Sequence, residues 1–206
     1  MIDFHTHIVP PEVKQNRDKI ATLDRSFAAV YADAKAKLAT ADELIASMDK
    51  NGIAQSVVLN YGWETQKLSV EINDYILESM VRYRGRLVGF GNAPLAAGDR
   101  ALKEMERCLD AGARGVGEIR PDLIPPGKLI EMLKPLAEII IKHDAILLTH
   151  SSEPVGHEYP GKGKATPDML YEIMNAFPDL KIVCAHWGAG LPFYTLMPEV
   201  KAALHN

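Results

Sequence analysis

Four histidines and one glutamate stand at positions where a protein could hold a metal ion. The chain begins with MIDFHTHIVPP, in which His5 and His7 alternate along a predicted strand and therefore project from the same face. Three further candidates end apolar runs: Glu118 in GVGEIR, His150 after AILLT and His186 after KIVCA. Imidazole nitrogens and carboxylate oxygens are ligands for zinc and similar divalent ions. The pattern indicates a metal centre, provided that the fold brings these strand ends together.

Each of these residues also has a plainer interpretation. A lone His-x-His pair can be a chance neighbourhood on an edge strand, and a lone histidine at a strand end is more often hydrogen-bonded structure than a ligand. The coincidence of all five at strand ends favours the metal site. His143 differs, because it ends a predicted helix, where a cation suits the helix dipole.

The elements that must position these residues follow from the hydrophobic pattern. Strands are predicted over 2–8, 53–60, 86–94, 112–120, 145–150 and 181–188, with helices over 40–51, 65–82, 99–111, 127–143 and 167–177. Strands that alternate with helices at intervals of roughly 30 residues predict βαβ units and a parallel α/β sheet. His-Thr-His and two prolines stand where a dinucleotide-binding sheet would carry its glycine-rich loop, so that fold is excluded. Another open doubly wound sheet and a (β/α)8 barrel remain, and in a barrel the strand ends converge on the active-site mouth.

Three segments lie outside these units. An insert over 10–38 is irregular or helical, and the end of the chain, 191–206, is predicted to be helical. The loop SSEPVGHEYPGKGKATP, over 151–167, is long enough to be functional. If it overhangs the site, then Glu153, His157 and Tyr159 contact substrate; the alternative is a solvated loop.

Three further side chains are candidate substrate contacts because they end or follow predicted strands. Asn60 and Asn92 end the second and third strands, and Arg120 lies two residues after Glu118. An arginine that faces the mouth of a barrel would pair bidentately with a carboxylate substrate. The alternative is that Arg120 is a surface charge.

Composition limits the function classes. The chain has 206 residues, a formal net charge of −4 and two scattered cysteines, and its sequence pI is near 6.0. The acidic balance gives no reason to expect a nucleic-acid partner, and two cysteines make no disulfide framework or CxxC clip. No signal peptide and no long apolar span are evident. We therefore expect a cytoplasmic protein that acts on a small molecule, without a membrane partner.

Three motifs together give a family resemblance. The chain resembles the metal-dependent amidohydrolase superfamily, in its amidohydrolase-2 branch of aminocarboxymuconate-semialdehyde decarboxylase-like proteins. The matching segments are DFHTH in the first strand, THSSEP at the fifth and AHWGAGLPF at the sixth. The resemblance implies a (β/α)8 barrel of TIM type, with about six of its eight βα units in this chain, as one domain over residues 1–206.

The resemblance also implies roles for the five candidates. His5 and His7 would hold one metal, and His150 would be the ligand from the fifth strand. His186 would bind a second metal or, as a catalytic residue, polarise the attacking water. Glu118 would bridge two metals if it is bidentate. We expect one or two divalent ions, with zinc first and manganese, iron or cobalt as alternatives.

The family pattern also includes an aspartate at the end of an eighth strand, and we find no segment that matches it. We therefore expect a barrel without strands seven and eight, with Asp3, Glu153 or Glu158 as a substitute base, and with association through the open edge. If the chain ends at Asn206, weak or no catalysis is expected.

The resemblance leaves several functions open. The first is hydrolysis of small-molecule C–N or C–O bonds by metal-activated water. The alternatives are a non-oxidative decarboxylase of the same branch, a TatD-like metal-dependent nuclease suggested by GEIR, and a catalytically impaired homologue.

Overall fold

The predicted strands form, and each is shorter than its apolar run. A computed structural model describes residues 1–204 of the chain. The strands of these residues are β1 (Ile2–His7), β2 (Gln55–Leu59), β3 (Leu87–Gly91), β4 (Gly115–Ile119), β5 (Ile146–Thr149) and β6 (Lys181–Cys184). His5, His7 and Glu118 therefore lie within strands, whereas His150 directly follows β5 and His186 lies just beyond β6.

Helices connect these strands, and the insert after β1 is helical as well. The helical elements are α1 (Pro11–Gln15), α2 (Arg17–Leu23), α3 (Arg25–Tyr31), α4 (Ala41–Asn51), α5 (Gln66–Arg82), α6 (Asp99–Asp110), α7 (Leu129–Lys142), α8 (Pro167–Ala176), α9 (Ala185–Gly188) and α10 (Pro198–Ala203). Of these, α9 is a single turn in which His186 and Trp187 have left-handed rather than α-helical dihedral angles. Short 3-10 turns cover Leu95–Ala97, Pro121–Leu123 and Leu191–Leu196. The helix predicted over 191–206 is therefore a 3-10 turn followed by α10, and its last two residues lie outside the described part of the chain. Among residues 1–204, no helix combines the length and the apolar character needed to cross a membrane.

Local sequence explains the ends of α4. The Thr40 side chain accepts a hydrogen bond from the backbone N–H of Glu43, and the Glu43 carboxylate accepts one from the backbone N–H of Thr40. This reciprocal capping box satisfies two N–H groups that the first turn leaves without helical partners. The helix ends at Gly52, whose positive φ of 67° suits a residue without Cβ.

The chain divides into two compact units, Met1–Gly117 and Glu118–Asn206. In the first unit, β1 pairs with β2, β2 with β3, and β3 with the start of β4, all in parallel. A buried core packs the insert, α4 and α5 around this sheet, and it includes Phe27, Met48, Val58, Trp63 and Ile72. These helices contribute apolar residues at helical spacing, which is why they pack on the sheet.

In the second unit, β5 and β6 pair in parallel along their whole length, from Ile146 opposite Lys181 to Thr149 opposite Cys184. The backbone N–H of His150 donates to the carbonyl oxygen of Ile119 over 2.8 Å, which fixes the end of β5 relative to the end of β4. A smaller apolar core lies where α8 meets α10, and it contains Leu170, Met174, Leu191 and Val200.

The last predicted strand ends four residues early because the backbone turns left-handed. The φ values of five successive residues, His186 to Gly190, lie between 53° and 90°. Three of the five are not glycine, and a left-handed conformation costs such residues roughly 1–2 kcal/mol each. The AHWGAG segment therefore forms a strained turn, and backbone strain of this kind is concentrated at functional sites.

Candidate metal centre

The second unit brings three of the predicted ligands together. Glu118, His150 and His186 each offer one ligand atom, and these atoms all lie within 4.8 Å of one another. Glu118 and His150 are buried, whereas His186 is exposed. The rings of His150 and His186 meet edge to face, with centroids 5.0 Å apart. The sequence prediction that these three side chains lie close together agrees with this geometry.

Hydrogen bonds orient the His150 ring from both sides. Its Nδ1 lies 2.6 Å from Oε1 of Glu118, and its Nε2 lies 2.9 Å from Oγ of Ser152. Ser152 Oγ also accepts the backbone N–H of Gly163 over 2.9 Å. A consistent assignment has Nδ1 donating to the Glu118 carboxylate and the Ser152 hydroxyl donating to Nε2. Ser152 thus connects the long loop after β5 to the imidazole.

Ser151 orients His186 in the same way. The Nδ1 of His186 lies 2.9 Å from the carbonyl oxygen of Ser151, which can only accept, so Nδ1 carries the proton. The Ser151 hydroxyl donates to the carbonyl of Ala185, which ties the start of the left-handed turn to the same residue. In this tautomer Nε2 presents a lone pair, the form in which imidazole binds a metal or accepts a proton.

This donor set fits a divalent metal. One carboxylate and two imidazoles supply the oxygen and nitrogen ligands that zinc, manganese, iron and cobalt accept. A ligating histidine usually has its second nitrogen hydrogen-bonded to a carbonyl or carboxylate, as the Ser151 carbonyl does for His186. Residues of the second unit that would hold the ion are therefore Glu118 and His150, with Nε2 of His186 available either as a third ligand or as a proton carrier.

The first unit carries the other predicted pair. Nε2 of His5 lies 3.0 Å from Nε2 of His7, so the two rings share one face of β1 as the alternation predicts. Thr6, between them, points the other way and donates to the carbonyl of Val57 over 2.7 Å. The two nitrogens are close enough to serve one ion, and their role as ligands stays a prediction.

Arg120 is engaged in a local ion pair. Its guanidinium binds both carboxylate oxygens of Asp122, at 2.9 and 2.7 Å, and both side chains are largely buried. Burial alone would raise the pKa of Asp122, but the hydrogen bond and charge of Arg120 outweigh it and lower that pKa. Asp122 also accepts the backbone N–H of Lys164, and a Cβ on Gly163 would clash with both members of the pair. The pair thus anchors the long loop, and substrate contact by Arg120 stays a prediction.

The three loop residues predicted to contact substrate lie beside one another. The Tyr159 hydroxyl donates to Glu153 over 3.0 Å, and the ring of His157 lies 5.8 Å from that of Tyr159. Lys162 organises the segment, since its ammonium lies 3.1–3.5 Å from the carbonyl oxygens of residues 155, 156 and 157. The loop is therefore internally ordered, and substrate contact by Glu153, His157 and Tyr159 stays a prediction.

Asn60 and Asn92 belong to a buried chain of amides. Asn60 donates to the carbonyl of Ile8 over 2.7 Å, and Asn92 donates to the carbonyl of Asn60 over 3.2 Å. Asn73 then donates to the carbonyl of Asn92 and to Glu104, both over 2.7 Å. These bonds hold the ends of β1, β2 and β3 together. Direct contact of Asn60 and Asn92 with substrate stays a prediction.

Sequence reasoning missed the residues that orient the candidates. Ser151 and Ser152 directly follow His150, and their proximity to a predicted ligand was the available signal. Asp122 is two residues from Arg120, so the ion pair was also accessible from the sequence. The packing of Tyr61 beside His7, with ring centroids 6.0 Å apart, had no local signal.

Solved structures with a similar fold include two decarboxylases and a hydratase. A 5-carboxyvanillate decarboxylase from Novosphingobium aromaticivorans, complexed with manganese and 4-hydroxy-3-methoxy-5-nitrobenzoic acid, aligns with a TM-score of 0.71 and 18% identity over 95% of this chain and 67% of that chain. A 2,6-dihydroxybenzoate decarboxylase from Rhizobium has a TM-score of 0.66 and 20% identity over 95% and 68%. A 4-oxalomesaconate hydratase from Rhodopseudomonas palustris has a TM-score of 0.61 and 17% identity over 100% and 69%. A search of curated protein sequences found no match.

These alignments confirm the predicted α/β fold of (β/α)8 type, since they extend over nearly the whole chain. The family model for amidohydrolases matches residues 2–206. The resemblance expected from DFHTH, THSSEP and AHWGAGLPF is thereby confirmed, and the chain belongs to the amidohydrolase family.

Proposed function

We propose that this protein is a metal-dependent, non-oxidative decarboxylase of aromatic carboxylates. The observation that carries the proposal is the cluster in which Glu118, His150 and His186 bring their ligand atoms within 4.8 Å of one another. The decarboxylase names of two structural neighbours, one of them complexed with manganese, support this reaction over the hydrolysis expected from sequence.

The residues have distinct tasks in such a reaction. Glu118 and His150 would hold the ion, and the Nε2 atom of His150 would then exchange its hydrogen bond with Ser152 for the ion while Nδ1 still donates to Glu118. When bound, the ion supplies a positive charge that polarises carboxylate and hydroxyl groups of a substrate. Manganese and zinc both suit this donor set, and the manganese of one neighbour favours manganese.

His186 is the candidate for proton transfer. Decarboxylation breaks the bond between the ring carbon and the carboxyl carbon, releases CO₂ and leaves an electron pair on the ring carbon, which must then receive a proton. His186 is held by Ser151 through Nδ1, so Nε2 is the atom that would carry and deliver that proton. In the hydrolytic alternative, the same atom would take a proton from water, so the site alone does not favour one reaction.

Hydrolysis of C–N or C–O bonds is the second candidate because it is the reaction that the family name describes. The two are separated by incubating the manganese-loaded protein with 2,6-dihydroxybenzoate and with 5-carboxyvanillate, and in parallel with a panel of esters, lactones and amides. We expect CO₂ release from at least one aromatic carboxylate. Turnover of the ester, lactone or amide panel alone would establish the hydrolase instead.

The metal site is tested separately by metal content. His150→Ala should lower bound manganese after dialysis and reduce turnover at least 100-fold, because second-shell changes alone typically cost 10- to 100-fold. His143→Ala is the matched control, since this histidine caps α7 and lies outside the cluster. Full metal content and activity in His150→Ala would contradict the assigned ligand role.

A further inference from the structure

Ser152 occupies the nitrogen of His150 that a metal ion would use. The serine is fully buried, and its Oγ lies 2.9 Å from Nε2 of His150. Nδ1 of the same ring donates to the Glu118 carboxylate, so in the neutral imidazole Nε2 carries no proton and accepts the Ser152 hydroxyl. That nitrogen has one lone pair in the plane of the ring. The lone pair is therefore already engaged by a side chain of the protein.

The long loop after β5 holds the Ser152 hydroxyl in this orientation. Its Oγ accepts the backbone N–H of Gly163 over 2.9 Å. The backbone N–H of Ser152 donates to the carbonyl oxygen of Ala165, also over 2.9 Å. Because the loop donates to Oγ, the single hydrogen of the hydroxyl is the one that reaches His150. The contact is consequently part of the fold and does not depend on a freely rotating surface serine.

A metal ion and the Ser152 hydroxyl compete for the same lone pair. An imidazole nitrogen either accepts a hydrogen bond or binds a metal, and it cannot do both at once. Binding of an ion at Nε2 of His150 therefore breaks the hydrogen bond from Ser152. The bond from the Gly163 N–H to Oγ does not involve Nε2, so it contributes equally with and without the ion and does not change the metal affinity.

We propose that Ser152 is an internal competitor that lowers the affinity of the metal centre for its ion. This role rests on the metal-dependent reaction proposed above. A side chain that only orients a ligand has the opposite effect, because its removal weakens metal binding by roughly 10- to 100-fold. Removal of the Ser152 hydroxyl instead tightens metal binding. The sign of the change in affinity thus distinguishes a competitor from a supporting residue.

Manganese binding by the chelator-treated protein, measured by calorimetry, tests this role without turnover. Ser152→Ala should lower the Kd for Mn²⁺ about fivefold, the equivalent of one hydrogen bond between uncharged groups. Without metal, the variant should melt at a lower temperature than the wild type, because Gly163 and His150 each lose a partner. Addition of Mn²⁺ should then raise its melting temperature by more than it raises that of the wild type.

Ser151→Ala is the matched control. Ser151 is equally buried and adjacent in the chain, but its hydroxyl donates to the carbonyl of Ala185 and not to an imidazole nitrogen. This variant should lose stability without binding Mn²⁺ more tightly. Equal tightening in both variants would overturn the competitor role, and so would weaker or unchanged binding in Ser152→Ala.

Ring ¹⁵N NMR of the wild type keeps the competitor role testable if Ser152→Ala does not fold. The His150 signals are assigned by their loss in His150→Ala. At about pH 8, above the usual pKa of imidazole, Nε2 should be unprotonated before metal is added and should shift when Zn²⁺ is added. A protonated Nε2, or no shift, would overturn the role. If the wild type binds Mn²⁺ and releases CO₂ but Ser152→Ala is not tighter, the competitor role alone fails. If the wild type binds no Mn²⁺, the proposed function fails with it.

Discussion

Asp24 offers a quantitative test of how the insert after β1 is held. Asp24→Ala removes the acceptor of three backbone N–H groups, those of Phe27, Glu64 and Thr65. Loss of the helix cap costs about 1 kcal/mol. The N–H groups of Glu64 and Thr65 belong to residues that are only partly buried, so water can hydrate them once the carboxylate is gone. The loss of each of these two hydrogen bonds should therefore cost about 1 kcal/mol, the lower end of the range for an unsatisfied donor. The free energy of unfolding should therefore fall by about 3 kcal/mol.

The assay is urea unfolding followed by tryptophan fluorescence. The chain has two tryptophans, and Trp187 is 86% exposed whereas Trp63 is buried. In a Trp187→Phe background, the signal reports only the surroundings of Trp63 beside Asp24. Asp18→Ala, an exposed acidic residue in the first turn of α2, is the control, and its effect should be about 0.5 kcal/mol. A loss below about 1 kcal/mol in Asp24→Ala would refute the reasoning, because the cap alone accounts for that much.

Two further predictions concern the second unit. Ala189→Gly should raise the free energy of unfolding by about 0.5 kcal/mol. The substitution relieves the strain of a non-glycine residue at φ 54°, and this gain exceeds the cost of the larger conformational entropy of glycine in the unfolded chain. A drop in the urea midpoint would contradict this. The lowered pKa of Asp122 means that its pair with Arg120 stabilises the fold above the unfolded-state pKa, about 3.9, and that this stability is lost as pH falls through the folded-state pKa. Asp122→Asn should therefore flatten the decline of the urea midpoint between about pH 5 and pH 2, and parallel curves for variant and wild type would show that Asp122 does not titrate in this way.

Hydrophobic period and turn residues predicted the order and type of the main elements. The capping box from Thr40 to Glu43 and the stop at Gly52 formed as expected, because these are local interactions whose partners are a few residues apart. The predicted end of β6 was wrong by four residues, because Ala185 and Trp187 extend the apolar composition of the strand while the backbone from His186 onward turns left-handed. Side-chain pattern carries little information about φ at non-glycine residues.

The candidate ligands followed from their types and strand-end positions, whereas the residues that orient them did not. Nothing in the sequence distinguishes Ser152 from other polar loop residues. Its role depends on the fold of the loop, because the backbone N–H that donates to its hydroxyl belongs to Gly163, 11 positions later. Asp24 is similar, because its carboxylate accepts hydrogen bonds from the backbone N–H groups of Glu64 and Thr65, about 40 residues later in the chain. Hydrogen bonds between loop residues that are distant in the chain leave no periodic pattern in the sequence, so they cannot be predicted from a single sequence.

The loop held by Lys162 has a consequence for the thermodynamics of binding. A flexible segment that must order around a ligand loses conformational entropy at that moment, and the loss weakens the measured affinity. Here three successive carbonyls already face one ammonium, and residues 163 and 164 are tied to Ser152 and Asp122. Residues 155–164 therefore lose their conformational entropy when the chain folds and not when a ligand binds. Ligand association at this loop should consequently proceed with a small entropic penalty and little change in backbone conformation.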